Sequence, residues 1–313
     1  MIRRPRLADA PPGVRAAVEE LLGGPIRTEH PADAGFTPSI ASVVAGGGGT
    51  RLFVKAGPAG LGDAVQAGVV LADVTGDLGP RLVGCAVVGP WRVAAYEVVE
   101  GETVTRWESA DLPHVLAMVQ RLRDLLDPCP IGGTSPYAEV FVPLLGTWQA
   151  LNGEPGHRRI AVDHVRGRPL PVNIPIPLLA ELERGWLGAL TGGTALHHGD
   201  LRRDNIIRQP GGRLRIVDWT HLWTAPGWMD LIRLAPDLAA CGHDPEQLLQ
   251  RSCWQDAPAR DVDVALAGLA GRAWREGHLP ELPDLPGLRH MQREQGSCLL
   301  RWLESRLPRR PRR

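Results

Sequence analysis

Residues 197–219 read HHGDLRRDNIIRQPGGRLRIVDW. Asp200, Asp218 and Asn205 stand in this stretch at spacings that a short hairpin would bring together. IIR (206–208) and LRIVDW (214–219) have the apolar, β-branched character of strands, and QPGG between them is a turn. Chain leaving Asn205 therefore returns with Asp218 at the open end of the hairpin, and Asp200 lies on the loop that feeds the first strand. Hard oxygen donors in so sparse a set suit Mg²⁺, which binds one or two carboxylates and takes further ligands from phosphate and water.

A second candidate lies upstream. RLFVKAG (51–57) holds Lys55, the only lysine among 35 basic residues. Two readings stand: a composition rich in arginine left one lysine by chance, or the position needs a slim point charge where a guanidinium fork would not fit. The four glycines at 46–49 match no GxxxxGK[ST] or GxGxxG frame and read as a turn. DAGFTPS (33–39) is the better phosphate-loop candidate, with Gly35, Thr37 and Ser39 supplying a turn, two hydroxyls and exposed amides.

The elements that must position these residues fall into two parts. GVRAAVEELLG (13–23) has helical periodicity after a Pro-Pro and before a Gly stop. PSIASVVA (38–45) and TRLFVKA (50–56) predict two strands, DAVQAGVVLADV (63–74) a helix, and RLVGCAVV (81–88) and RVAAYEVVEG (92–101) two more strands. After Glu100-Gly101 helices dominate: LPHVLAMVQRLRDLLD (112–127), with Val115, Met118, Val119, Leu122 and Leu126 on one stripe, IPLLAELERGWLGAL (176–190) and VDVALAGLAGRAWREG (262–277). Residues 152–175, rich in Gly, Pro and Arg, read as a loop.

Whole-chain properties narrow the classes of function. With 313 residues, 43% hydrophobic and 22% charged, the chain can bury a sizeable core in one large domain or two lobes. Zero formal net charge argues against nucleic acid or a membrane surface as partner. The basic tail RLPRRPRR (306–313) reads as a solvated end. No secretory signal and no spanning helix are expected. Five scattered cysteines without a CxxC pair and ten histidines without paired ligand spacing point to reduced thiols in the cytoplasm rather than a disulfide or zinc framework.

HGDLRRDN followed by IVDW resembles the catalytic loop and metal motif of the aminoglycoside phosphotransferase family, small-molecule relatives of the protein kinases. The pattern HxDxxxxN is met by His198, Asp200 and Asn205, Asp218-Trp219 stands in place of DFG, and FVK places Lys55 on the third strand of the front lobe. YEVVEG resembles the hinge that offers backbone groups to adenine, at Glu97 and Val99, and GWMDL (227–231) resembles the segment whose aspartate, Asp230, braces the catalytic loop. The resemblance runs over roughly residues 13–300, and the order of the motifs is more specific than any one of them.

What the resemblance implies is an α+β, bilobal, protein-kinase-like fold: a small front lobe with an antiparallel sheet over 1–95, a hinge at 96–101, and a larger, mostly helical lobe over 102–313. It further implies ATP (or GTP) and Mg²⁺ as cofactors, with Lys55 on the α- and β-phosphates and Asn205 and Asp218 on the metal. Asp200 would orient an acceptor hydroxyl and take its proton, and Arg202 would reach the γ-phosphate; as a plain loop residue, Arg202 would instead be a solvated charge. His198 reads as a prop for the loop. The chain departs from the kinase pattern on the helix after Lys55, where a glutamate is expected and Gln66 stands, with Asp63 one turn earlier as the alternative partner.

The implied acceptor is a small-molecule hydroxyl, in an antibiotic-inactivating or biosynthetic enzyme; a peptide Ser/Thr during natural-product maturation and a catalytically silent nucleotide-binding module are the competing readings. Trp219, Trp223 and Trp228 follow the metal motif closely, either as core packing or as a wall for a flat acceptor.

Overall fold

The computed structural model describes residues 5–32, 39–60, 62–154, 160–283 and 285–308. The chain divides into two compact units that interleave in sequence: Met1–Thr105 with Asp124–Leu126 and Arg203–Leu222, and Arg106–Arg123 with Asp127–Arg202 and Trp223–Arg313.

The first unit is built on a five-stranded sheet. Its first helix, α1 (Pro12–Leu22), begins with proline at its N-terminus and ends on Gly23 in the left-handed region. The sheet comprises β1 (Thr28–Pro31), β2 (Ile40–Ala45), β3 (Arg51–Pro58), β4 (Leu82–Val88) and β5 (Trp91–Glu97). They stand in the order β1-β2-β3-β5-β4, with every neighbouring pair antiparallel. Helix α2 (Gly62–Thr75) links β3 to β4.

Strand alternation decides which side chains face where. Leu52, Val54 and Ala56 of β3 join Val14, Val18 and Leu22 of α1 in one core cluster. Phe53 and Tyr96 lie on the other face, clustered with Val65, Val69 and Ala72 of α2. Lys55 shares that second face. A slip of one residue would drive Lys55 into the α1 core and expose Val54, so burial of a Val or Leu, worth roughly 1.5–3 kcal/mol each, pins the register.

Beyond β5 the chain forms β6 (Glu102–Thr103), which pairs antiparallel with β9 (Ile206–Arg208); β9 in turn pairs with β10 (Leu214–Ile216). Gly101 makes the β6–β9 approach feasible: its φ is +139°, and a Cβ there would lie 2.4 Å from the carbonyl oxygen of Arg208. The β9–β10 connection is the expected Gln-Pro-Gly-Gly turn, closed by Gly212 N–H donating to the Gln209 carbonyl at 2.9 Å.

In the second unit β7 (Ser135–Pro136), β8 (Ala195–His197) and β11 (Trp223–Ala225) make a small sheet in the order β7-β11-β8. The rest is helical: α3 (Leu112–Leu126) as far as Arg123, α4 (Tyr137–Phe141), α5 (Thr147–Leu151), α6 (Ile176–Arg184), α7 (Trp186–Leu190), α8 (Met229–Ala240), α9 (Pro245–Arg251), α10 (Ala259–Gly277) and α11 (Leu288–Arg306). The helix expected over 176–190 is two, broken at Gly185. Tryptophans fill this core: Trp148 and Trp186 are fully buried, and their ring N–H groups donate to the Ala267 and Ala138 carbonyls at 2.8 and 2.9 Å. Among the described residues, no helix is long and apolar enough to cross a membrane.

Candidate active site

The first unit contains a cavity of about 340 Å³. Its walls are the sheet face carrying Ala41, Val43, Phe53 and Lys55, the α2 face carrying Ala64, Val65, Gly68 and Ala72, the segment Val98–Val99 after β5, and Asp204, Asn205 and Asp218. Lys55 stands in register between Ala41 and Ala94, two small neighbours that leave its stem room to extend. Its ammonium forms an ion pair and hydrogen bond with the Asp218 carboxylate across 163 residues of sequence. Lys55 is largely buried, with 17% of its side chain exposed, whereas Asp218 keeps 42%.

Local geometry explains how Asp218 reaches this place. The Val217 N–H donates to the Asn205 carbonyl at 2.9 Å, which extends the β9–β10 pairing by one bond and sets Asp218 beside Asn205. Asp218 then takes φ +66°, the one non-glycine residue with positive φ among those described. Aspartate tolerates this conformation better than most residues, at a cost of order 1 kcal/mol. Asp204, which directly precedes Asn205 and sits outside the HxDxxxxN positions, also lines the cavity.

At the end of β5, Tyr96 is buried, and burial, then Cys85 and Asp218, push its phenol well above the usual value, so it stays protonated. Glu97 is engaged elsewhere. Burial would raise its carboxyl, but the Arg81 N–H at 3.2 Å and the Arg215 guanidinium at 2.9 Å outweigh that and hold it below the ordinary carboxylate range. Its carboxylate is therefore committed to two arginines. Val98 and Val99 leave the sheet after the last paired residue, Glu97, and both line the cavity, as does Ser39. Gly35 and Thr37 lie outside the described residues.

Gln66 requires a correction. It is exposed and absent from the cavity wall, as α2 turns Ala64, Val65, Gly68 and Ala72 inward instead; Asp63 is exposed as well. The helix phase, set by burial of Val65 and Ala67, points position 66 outward, and Lys55 pairs with Asp218 rather than with α2.

The second unit holds the loop around Asp200. Asp230, 5% exposed, accepts from His198 N–H at 2.9 Å, from Gly199 N–H at 3.3 Å and from the His197 ring at 2.8 Å. His198 Nδ1 accepts from the Asp200 N–H at 3.3 Å. Asp200 itself lies against Arg233 at 3.1 Å and Arg202 at 3.6 Å. Arg202 is no solvated loop charge: it is 7% exposed, and its other terminal nitrogen reaches Met291 Sδ at 3.4 Å.

Burial alone would push Asp230 up, but His197, His198 and the His198 N–H hold its carboxyl below the ordinary range. A depressed acid contributes stability above its unfolded pKa of about 3.9 and loses it as pH falls through the folded value. Asp230→Asn should therefore cost about 3 kcal/mol near pH 7, and chemical denaturation should show its gap to the wild type holding down to about pH 4 and closing below it. A gap that is constant with pH would contradict the ionised brace.

No protein-family model and no curated protein matches the sequence. Solved structures do. The apo form of a thermostable mutant of aminoglycoside phosphotransferase APH(4)-Ia superposes with a TM-score of 0.60 at 12% identity, covering 93% of this chain and 99% of that one. Choline kinase LicA from Streptococcus pneumoniae gives 0.59 at 13% identity, with 93% and 98% covered. A ternary complex of thermostable APH(4)-Ia with ADP and hygromycin B gives 0.56 at 13% identity, with 93% and 98% covered. The chain has the fold of these phosphotransferases. The α+β, kinase-like architecture implied by the order of the motifs is the architecture found.

Within this phosphotransferase fold, the donor chemistry of the cavity suits one class of ion. Asn205 and Asp218 present an amide and a carboxylate on one wall, both hard oxygen donors. Among the described residues no three His, Cys, Asp or Glu side chains gather as a closed metal site. The set fits an ion that completes its shell with phosphate and water, as Mg²⁺ does.

Proposed function

We propose that this protein moves the γ-phosphate of ATP (or GTP) to a hydroxyl of a small molecule, an antibiotic or a natural-product intermediate, in the cytoplasm. The observation that carries this reading is the Lys55–Asp218 pair on the wall of a cavity that also holds Asn205 and the free-running segment Val98–Val99. In this reading residues 1–95 form the nucleotide lobe, 96–101 the hinge and 102–313 the acceptor lobe.

Phosphoryl transfer needs positioning and charge stabilisation more than covalent help from the protein. The backbone of Val98–Val99 would take the base, Ser39 with Gly35 and Thr37 the outer phosphates, and the Lys55 ammonium the α- and β-phosphates. Asn205 and Asp218 would hold Mg²⁺. Bound there, the ion would supply positive charge against the negative charge that develops on the phosphates during transfer. Asp200 would accept the proton of the acceptor hydroxyl as its oxygen bonds to the γ-phosphorus and the bond to the β–γ bridging oxygen breaks, releasing the nucleoside diphosphate. Arg233 and Arg202 would hold the two Asp200 oxygens in place, which gives Arg202 a positioning part beside any contact with phosphate.

A silent nucleotide-binding module is the second reading, favoured by the α2 face, whose cavity-lining residues carry no carboxylate to fix Lys55. Melting the protein with ADP plus Mg²⁺, with ADP plus chelator, and with neither, followed by ATP turnover over a panel of hydroxylated acceptors, separates the two. We expect stabilisation only with Mg²⁺ and nucleotide together, near 2.7 kcal/mol at a hundredfold excess over Kd, and turnover with at least one acceptor. Binding without turnover across the panel supports the silent module; absence of binding overturns both.

A further inference from the structure

Strand β10 carries a face of its own. Arg213 and Arg215 alternate with the buried Leu214 and Ile216, so both guanidinium groups leave the same side of the strand that runs into Asp218. Arg213 pairs with Asp77, just after α2, in an exposed contact. Arg215 is different: 13% of its side chain is exposed, and it bonds both the Glu97 carboxylate, at 2.9 Å, and the Gly79 carbonyl. Glu97 in turn receives the Arg81 N–H at 3.2 Å, while its own N–H donates to the Arg81 carbonyl at 2.9 Å. One guanidinium thus ties three segments: the turn at Gly79 ahead of β4, the end of β5 and the strand before Asp218.

We propose that Arg215 is a positioning residue that sets the separation between Val98–Val99 and Asp218, and so the span of nucleotide the cavity accepts. This rests on the reading of the cavity as a nucleotide site. Glu97 is the last paired residue before Val98, and Asp218 lies three residues beyond Arg215, so each end of the ion pair anchors one wall segment through a few bonds of backbone. A charge-assisted bond in so little water is strong and directional. A ligand that touches only one segment feels little of this constraint; a ligand that reaches both feels all of it.

The test is calorimetric titration of the full chain with two probes, ADP plus Mg²⁺ and adenosine. Arg215→Met should weaken Mg-ADP ten- to a hundredfold and adenosine less than threefold. Arg215→Met combined with Glu97→Gln should be no weaker than Arg215→Met alone within a factor of two, because the partner is already lost. A role in general stability would lower the melting temperature of the apo protein and weaken both probes by one factor, and that result overturns the proposal, as does unchanged Mg-ADP affinity in a cooperatively folded variant. Should Arg215→Met not fold, Arg215→Gln carries the test, with Mg-ADP weakened at least fivefold and adenosine less than threefold; equal effects on both refute it. Wild-type protein that binds neither probe would instead refute the nucleotide site itself.

Discussion

Asp200→Ala should lower phosphate transfer by about 10²- to 10⁴-fold, the usual contribution of a positioned general base, while Mg-nucleotide affinity changes less than about threefold. The asymmetry follows from where the residue sits. Asp200 belongs to the loop braced by Asp230 and is held by Arg233 and Arg202, whereas Lys55, Ser39, Val98, Val99, Asn205 and Asp218 line a cavity whose described walls all belong to the first unit. Removing the carboxylate also leaves the Arg233 guanidinium, 17% exposed, without one of its partners, so a loss of stability of about 1–3 kcal/mol is expected alongside. Single-turnover kinetics with the best acceptor, paired with Mg-ADP titration, reads both quantities. Unchanged turnover would remove Asp200 from the chemistry; equal losses in turnover and nucleotide binding would make it structural.

Lys55→Arg should cut kcat/KM for nucleotide by about ten- to a hundredfold, near 1.4–2.7 kcal/mol of transition-state stabilisation. Charge is kept, so the loss must come from shape. The ammonium sits on a mostly buried stem between Ala41 and Ala94 and points at a single carboxylate. A guanidinium is wider, planar and forked, and would either push Asp218 from its left-handed position or miss the phosphates. Lys55→Met should lose more than Lys55→Arg, because it also takes the ammonium away from Asp218. Steady-state kinetics over nucleotide concentration checks both. Full activity in Lys55→Arg would return the lone lysine to an accident of composition.

Much of the site was legible because its parts are local. The turn at 209–212 and the alternation on either side of it bring Asp218 back to Asn205 within a dozen or so residues, and pattern alone can carry that. Lys55 was legible as the only lysine in the chain, and the alternation of β3 keeps it off the face that Leu52, Val54 and Ala56 give to α1. The phase of α2 was not. That helix is apolar nearly all round, so periodicity names no inner face and does not settle where Gln66 or Asp63 points. Burial of Val65 and Ala67 decides it, and that is a tertiary fact. The Arg215–Glu97 bond spans 118 residues and leaves no local mark beyond the alternation of arginines on β10. Strand β1, TEHP, is short and polar and shows itself only through its pairing with β2.

The division of the chain has a bearing on biosynthesis. The first compact unit recruits Arg203–Leu222, so its sheet is complete early while the residue that pairs with Lys55 arrives 163 positions later. On a translating ribosome the nascent front half would carry an unmatched ammonium and an open cavity until residue 222 clears the exit tunnel. Contacts of such long sequence separation form slowly. A fragment cut at residue 105 would keep the strands of the five-membered sheet and lack Asn205 and Asp218 altogether, so the cavity cannot be reconstituted by trimming the gene to its first third.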